Sequence, residues 1–438
     1  MRNSAGITIP TATTSKAVDV LNKTAAKSQT ARKTKRTRTE RPSRIMGSAP
    51  PTTHELLRIV RAAQPISRTA VARRLGVTRG TVTVLVKPLL SSGALREAAP
   101  EQTIAGRVGR PPIGLSLRAE REFLIGINIG VSEVRIGATT PDGQLLREDS
   151  FATPSDPAEA LSRIRLLIAE MRVRLPERVL MIIGVSVPGP ADVEKGMLLY
   201  APHLGWRDVP IRSLMRTTVP VVVENNATAA AIYEAQRRRS TDNNRRTAND
   251  FVLVRVGTGI GVGLVLGGEA YRGTRGADLA GEFGHMTIVA GGKPCTCGNR
   301  GCWERYASAS SAVELYLGNG PRVKGRSLLR FRDVVTRAEA GEERAQATLE
   351  RVGQSLGIGI GNIICGLGVS QVVLSGRILR GWKFIQKPLR AVVAQTMGGR
   401  LVKWSVEPGE MSGSSLGGAI EVAIESHLLG LRMQSRCA

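Results

Sequence analysis

Residues 53–95 read THELLRIVRAAQPISRTAVARRLGVTRGTVTVLVKPLLSSGAL, and this stretch decides how the N-terminal part of the chain folds. Leu56, Leu57, Ile59 and Val60 recur at helical spacing and predict a first helix. Ser67 precedes a short second helix, Thr69–Leu75, which Gly76 ends, and Val77 and Thr78 make the turn. Thr78–Leu90 predicts a third helix with Val82, Leu85, Val86 and Leu89 on one face. Pro88 lacks a backbone donor and crowds the preceding turn, so this helix is expected to kink or end near it. Gly93 closes the helix and Leu95 starts a strand. Helix, short helix, glycine turn, helix is the layout of a helix-turn-helix, whose last helix enters the major groove of DNA.

The flanks carry the same expectation. Thr78, Arg79, Gly80, Thr81 and Thr83 give the third helix a small, polar start that lets its backbone approach a duplex. Arg79 is the candidate for a base-edge contact, and the threonines for phosphates or thymine methyls. Downstream, Arg96–Ile104 and the run Gly106-Arg107-Val108-Gly109-Arg110-Pro111-Pro112 read as the hairpin of a winged version of the motif. Its Gly-Arg-Pro core resembles hooks that place an extended arginine, here Arg107 or Arg110, in a minor groove. An interdomain linker with solvated arginines is the other reading. Upstream, residues 1–50 hold few large apolar side chains and a basic cluster from Arg32 to Arg44, and are expected to be a disordered basic tail. Residues 1–120 carry 22 Lys/Arg against 6 Asp/Glu, a net +16 of the chain's +26. Positive charge concentrated on one segment is the footprint of a polyanion partner; a solubilising tail is the alternative.

At 438 residues the chain is too long for one ordinary core, and two or three domains are expected. Hydrophobic residues make up 42% but aromatics only 3%, so Val, Ile, Leu and Ala must do the packing. No apolar run reaches the roughly 18–20 residues that cross a bilayer. The N-terminus lacks the pattern of a secretory signal, so a cytoplasmic protein without a membrane partner is expected. Beyond Phe123, apolar runs (Leu124–Ile129, Val179–Val187, Val219–Val223, Phe251–Val256, Val262–Leu266, Gln371–Leu374) alternate with helical or glycine-rich stretches, which predicts an α/β fold. Arg237–Asn249 reads as a polar loop between two lobes.

Three of the five cysteines, Cys295, Cys297 and Cys302, fall within eight residues, which points to a metal and not to disulfides. They belong to Cys295–Glu304 (CTCGNRGCWE), preceded by Gly281–His285 (GEFGH) and Gly292. With this spacing the chain resembles the ROK family of repressors, open reading frames and kinases. Further matches are Gly184–Asp192 (GVSVPGPAD), Leu204-Gly205-Trp206, Val223–Glu234 (VENNATAAAIYE), Gly257–Gly261 (GTGIG) and Val372–Gly376 (VVLSG), and the resemblance covers about residues 54–430. It implies a winged helix-turn-helix over 51–118 and a two-lobed, actin-like body of the sugar-kinase and Hsp70 type over 119–438, with the lobe boundary near 237–250.

One nitrogen from His285 and three sulfurs from Cys295, Cys297 and Cys302 make a closed tetrahedral set suited to structural Zn2+. Unmetallated buried cysteines are the alternative. Cys365 and Cys437 have no such context and are expected to be a core residue and a tail residue. The resemblance further implies sugar contacts from Asn225, Asn226, Glu282, His285 and Glu304. It also marks departures. Asn226 stands where the kinases of the family carry their catalytic-base Asp, so general-base help of about 10²–10⁴-fold is lost. Asn128-Ile129-Gly130-Val131-Ser132 stands where their first phosphate loop reads Asp-x-Gly-Gly-Thr. Gly257, Thr258, Gly259 and Gly261 remain as a degenerate nucleotide loop, which is weak evidence alone. The expectation is a DNA-binding transcription regulator, by family default a repressor, and not an enzyme. It would bind a double-stranded operator as a homodimer or homotetramer and sense a sugar or sugar derivative. The rivals are an active sugar kinase with an accessory head, and a ligand-independent DNA-binding protein that keeps the lobes as a dimerisation scaffold.

Overall fold

The computed structural model describes residues 52–98, 113–241, 250–273, 279–318, 329–411 and 414–437. The basic tail 1–50 and the wing tip with Arg107 and Arg110 lie outside them. The head runs α1 Thr53–Ala63, β1 Ile66–Ser67, α2 Arg68–Leu75, α3 Arg79–Ser91, β2 Leu95–Ala98 and β3 Gly114–Leu117. Thr52, Ser67 and Thr78 cap the three helices, each side chain accepting a backbone N–H from three residues on. Gly76 ends α2 at φ 65°, a conformation open to glycine at little cost. β3 pairs antiparallel with both β1 and β2, and of the hairpin expected over 96–112 only Arg96–Ala98 lies among the described residues. α3 does not stop at Pro88 but runs on to Ser91. The carbonyl that loses its donor to Pro88 belongs to Val84, on the exposed face of the helix, where solvent can satisfy it.

The body holds two five-stranded sheets of one design. The first uses β4 Glu122–Ile129, β5 Glu133–Thr139, β6 Leu145–Ala152, β7 Val179–Val187 and, beyond the small sheet of β8 Ala191–Asp192, β9 Met197–Ala201 and β10 Trp206–Val209, the edge strand β11 Val221–Asn225. Its order is β11-β7-β4-β5-β6, with β11, β7 and β4 parallel and β4-β5-β6 an antiparallel meander. The second uses β12 Phe251–Val256, β13 Ile260–Leu266, β14 Glu269–Tyr271, β15 Gln371–Ser375 and β16 Ser405–Pro408. Its order, β14-β13-β12-β15-β16, repeats the same meander and the same parallel pair. This duplication is the actin-like architecture expected of the body, and each lobe has its own apolar core. Phe123, Ile125, Ile127 and Ile129 face helix α4 (Pro157–Arg174) in the first lobe. Val252, Val254 and Val256 face the helical layer of the second.

Two helices run between the lobes, α5 (Asn226–Thr241) and the C-terminal one. α5 corrects the expected loop at 237–249, because its last turn extends through Arg237–Thr241. Arg237 and Arg238 pair back to Glu234 one turn earlier and so continue the helix. Residues 242–249 lie outside the described ones. The second lobe adds α6 (Ala309–Leu317), α7 (Phe331–Glu339), α8 (Glu343–Leu367) and α9 (Trp382–Gln395), and the chain ends in α10 (Ser414–Cys437). Cys365 on α8 is exposed, not in the core.

α10 returns to the first lobe and lies on the face of its sheet opposite α4. It can approach because β4 and β7 each carry a glycine there: a methyl on Gly126 would sit 2.5 Å from Ile420 N, and one on Gly184 2.5 Å from Ala419 O. Ala423, Ile424 and Leu428 of this helix are buried in one cluster with Leu56, Leu57, Val71, Val86 and Leu89 of the head and with Leu124 and Ile182 of the sheet. Head and body therefore share a hydrophobic core, and Pro51–Ala438 form one compact unit. Each fully buried Leu or Ile in that shared core contributes about 1.5–3 kcal/mol.

Candidate functional site

The exposed surface of α3 comes first. Arg79, Gly80, Thr81, Thr83, Val84 and Lys87 are all exposed, while Val82, Val86 and Leu89 are wholly buried. Thr78 spends its hydroxyl as the α3 cap, 3.2 Å from Thr81 N, and lies 3.0 Å from the Thr81 hydroxyl. Thr83 donates to the Arg79 carbonyl at 3.0 Å, so its methyl is the part left facing outward. Sequence reasoning missed Val84 and Lys87. Val84 is 72% exposed in the middle of this polar surface. A one-face count of apolar residues assigns valines to the core, and only the phase of the helix separates Val84 from Val82 and Val86.

The second candidate lies where β11 runs into the first turn of α5, beside the Gly257–Gly261 hairpin between β12 and β13. Asn225 fixes that turn: its side-chain oxygen accepts from Ala227 N at 2.7 Å and Thr228 N at 3.3 Å, and its amide donates to the Gly189 carbonyl at 3.0 Å. Asn226 faces the glycine hairpin, its Oδ1 3.8 Å from where a methyl on Gly261 would stand. On the other side a methyl on Gly259 would lie 2.4 Å from Glu304 Oε2 and 3.4 Å from His203 Nε2. The loop thus brings Glu304 and Asn226 against one glycine hairpin. His203, which sequence reasoning missed, joins them; its signal was the adjoining Leu204-Gly205-Trp206 match. Asn128 is buried at the end of β4 and accepts from the Ser186 hydroxyl at 3.0 Å, a structural engagement for its amide oxygen.

Glu304 owes its position to the cysteine loop. Trp303 is fully buried, donates to the Ser355 carbonyl at 2.8 Å and packs on Gly359 of α8, where a methyl would strike its ring. The short helical turn Glu304–Ala307 follows. Beside it, ligand atoms of His285, Cys295, Cys297 and Cys302 all lie within 4.8 Å of one another. Cys295 Sγ is 3.6 Å from His285 Nδ1, and Cys297 Sγ is 3.7 Å from Cys302 Sγ. Burial pushes the Cys295 thiol up to about 12 and raises Cys302 as well, so these sulfurs hold their charge readily only around a cation. The soft, closed donor set fits a transition metal. His285 presents Nδ1 to this cluster, also 3.7 Å from Glu304, and Nε2 to Glu282 at 3.7 Å. Burial raises Glu282 above the usual carboxylate range, with Glu304 adding to the effect and His285 opposing it. One histidine thus links the cysteine cluster, which could hold a metal ion, to two cleft carboxylates.

A third cluster joins the head to both lobes. Arg58 on α1 donates from Nε to Glu425 on α10 at 2.6 Å, and from NH1 and NH2 to Glu269 on β14 at 2.5 and 3.0 Å. Arg61 holds Glu421 through two 2.6 Å bonds, and His54 Nε2 lies 3.1 Å from Glu425. Burial alone would raise Glu425; His54 and Arg58 outweigh it and hold this carboxyl far below the usual range.

The family model described as "ROK family" matches residues 124–425. Among curated relatives, the xylose repressor of Bacillus spizizenii is 27% identical over 343 residues, covering 77% of this chain and 85% of the repressor. The glucokinase of Streptomyces coelicolor is 30% identical over 239 residues, 54% of this chain and 64% of the enzyme. Among solved structures, a ROK family transcriptional regulator described as a homologue of the E. coli MLC protein superposes with a TM-score of 0.70 at 21% identity, covering 88% of this chain and 98% of that one. No helix among the described residues is long and apolar enough to cross a membrane.

Proposed function

The chain belongs to the ROK family, and from there we propose that it is a DNA-binding transcription regulator, of the repressor kind, whose kinase-like body senses a sugar or sugar derivative. The observation that carries this reading is the head itself. A helix-turn-helix with an exposed, polar and basic α3 shares its hydrophobic core with α10, the helix that lines the interlobe junction. The xylose repressor relative supports both halves of the reading. Arg79 and the Thr81–Lys87 surface read base edges; Arg107 and Arg110 serve the minor groove; a homodimer or homotetramer spaces two heads over two half-sites.

In the cleft, Glu282, Glu304, His285 and Asn226 supply the paired donors and acceptors that a polyol requires, with Asn225 holding the turn that presents Asn226. His285, Cys295, Cys297 and Cys302 would hold a zinc ion. Bound there, the ion supplies charge and rigidity, and no ligand position is left open for catalysis. Phosphotransfer is lost, because Asn226 cannot accept a proton and Asn128 is an amide tied to Ser186. Sugar binding shifts the closure of the lobes, and Arg58, anchored to Glu269 on one side and Glu425 on the other, passes that shift to α1. The ligand acts to the extent that it binds one arrangement better than the other.

The test is a mobility-shift titration of a selected operator against a panel of pentoses, hexoses and amino sugars, with ADP release measured on the same samples. A sugar that changes operator affinity without ADP release is the expected result. Turnover of any sugar well above background would favour the kinase reading, as the glucokinase relative would have it.

A further inference from the structure

The outward side of α3 carries one residue for which the head itself has no use. Val82, Val86 and Leu89 turn into the core of the head and are wholly buried. Gly80, Val84 and Lys87 recur at helical spacing on the opposite side, and all three are exposed. Val84, in the middle of that stripe, is 72% exposed. A β-branched residue is a poor choice for a solvated helix position, because it loses side-chain freedom there and gains no burial. One exposed valine is ordinary on a protein surface; this one stands on the helix that a helix-turn-helix places in the major groove.

The polar groups around Val84 are engaged within the helix. The Thr78 hydroxyl accepts from Thr81 N at 3.2 Å and lies 3.0 Å from the Thr81 hydroxyl. The Thr83 hydroxyl donates to the Arg79 carbonyl at 3.0 Å. Gly80 points the same way: a methyl there would meet only the Thr78 hydroxyl, at 3.6 Å, so the fold does not require a glycine. Glycine is a poor helix residue, and its missing side chain leaves room for another surface to come close to the backbone. α2 and α3 hold Arg68, Arg73, Arg74, Arg79 and Lys87 and no acidic residue, so a polyanion is drawn against this stripe.

Every base pair offers hydrogen-bonding atoms in the major groove, but thymine alone adds an apolar group, its C5-methyl. A stripe of apolar surface whose neighbouring hydroxyls are engaged discriminates by burying that methyl. We infer that Val84, aided by the Thr83 methyl, is a specificity-determining residue of α3 that selects thymine by packing on its C5-methyl, with Gly80 opening the close approach the contact needs. The inference rests on the DNA-reading role proposed above and names the base that this helix selects.

The probe is a duplex enriched from a random library on the full chain and resynthesised with deoxyuridine in place of each thymine in turn. Deoxyuridine keeps the hydrogen-bonding edge of thymine and lacks only the methyl. Affinity is read by mobility shift at constant salt. At one or more positions of each half-site the replacement should weaken wild type about three- to fivefold, the value of burying one methyl group. Val84→Ala should bind the two duplexes alike at those positions, and Val84→Ile should restore the discrimination. Because Val84 is exposed, Val84→Ala should unfold no earlier than wild type. Gly80→Ala should fold as wild type does and lose about tenfold in operator affinity. Uracil tolerated at every position, or a discrimination that persists unchanged in Val84→Ala, overturns the inference. So does a change in the mass of the free Val84→Ala chain by light scattering with the discrimination intact, which would make this face a contact between copies. A chain that enriches a consensus yet tolerates uracil throughout keeps the function proposed above and loses only this inference, whereas no enriched sequence at all overturns both.

Discussion

Replacing Arg58 with Met should destabilise the whole chain, not the head alone. Met keeps most of the aliphatic stem and removes the guanidinium that holds Glu425 at 2.6 Å. Glu425 is 6% exposed, so the variant leaves a buried carboxylate with His54 as its nearest partner. Removing one member of a buried pair costs about 3–5 kcal/mol, and His54 argues for the lower end. The lost bonds to Glu269 add little, since that side chain is 64% exposed. Removing both charges, in Arg58→Met with Glu425→Leu, should recover most or all of the loss, because an apolar pair in place of a buried ion pair is often neutral or better. The assay is urea unfolding followed by tryptophan fluorescence. All four tryptophans, at 206, 303, 382 and 404, lie in the body. A shift of their transition by a substitution in α1 therefore reports the shared core directly. If the fluorescence transition stays in place while helical signal from the head is lost earlier, head and body unfold separately and share no cooperative core. A double variant as unstable as the single one would equally refute the ion-pair account.

Four further outcomes are expected. Arg79→Ala should weaken selective binding of an operator by about 1–3 kcal/mol and leave most non-selective DNA binding in place; an equal loss of both would make Arg79 a phosphate contact. Cys297→Ser should lower bound zinc from one equivalent per chain, read by atomic absorption, and weaken sugar binding through Glu304; full metal content would overturn the ligand set. Gly259→Ala places a methyl 2.4 Å from Glu304 Oε2 and should abolish the sugar response while sparing operator affinity, measured on the same mobility-shift gels. Glu425 is held below its unfolded value of about 4.3, so its stabilisation is full above that pH and is lost as pH falls below it. The stability gap between wild type and Glu425→Gln should therefore shrink from pH 6 toward about pH 3, and a gap independent of pH would contradict the assignment.

Much of this was legible in the residues because it is local. Val179–Val187 forms the expected strand in full, Gly76 takes the left-handed turn, and the Cys-x-Cys spacing brings its sulfurs together. What stayed hidden depends on partners distant in sequence. Arg237 and Arg238 read as a solvated loop until Glu234 pairs with them on α5. Ile424 and Leu428 belong to a C-terminal helix whose place under the head is set by Gly126 and Gly184, far upstream. Cys365 sits in an apolar run yet lands on the outward phase of α8. Arg255 is one charge in a strand of apolar residues, and only the fold places it beside Ser375 and within reach of the Ser415 hydroxyl in the first turn of α10.

One chain is expected to read DNA with its head and a sugar with its body. The most direct test is operator affinity of the full chain, on duplexes enriched from a random library, measured with and without each sugar of the panel. A recovered consensus and at least one sugar that changes affinity by about fivefold or more are expected, with Gly259→Ala insensitive to it. No enriched sequence, or an affinity that no sugar or sugar derivative alters, would contradict it.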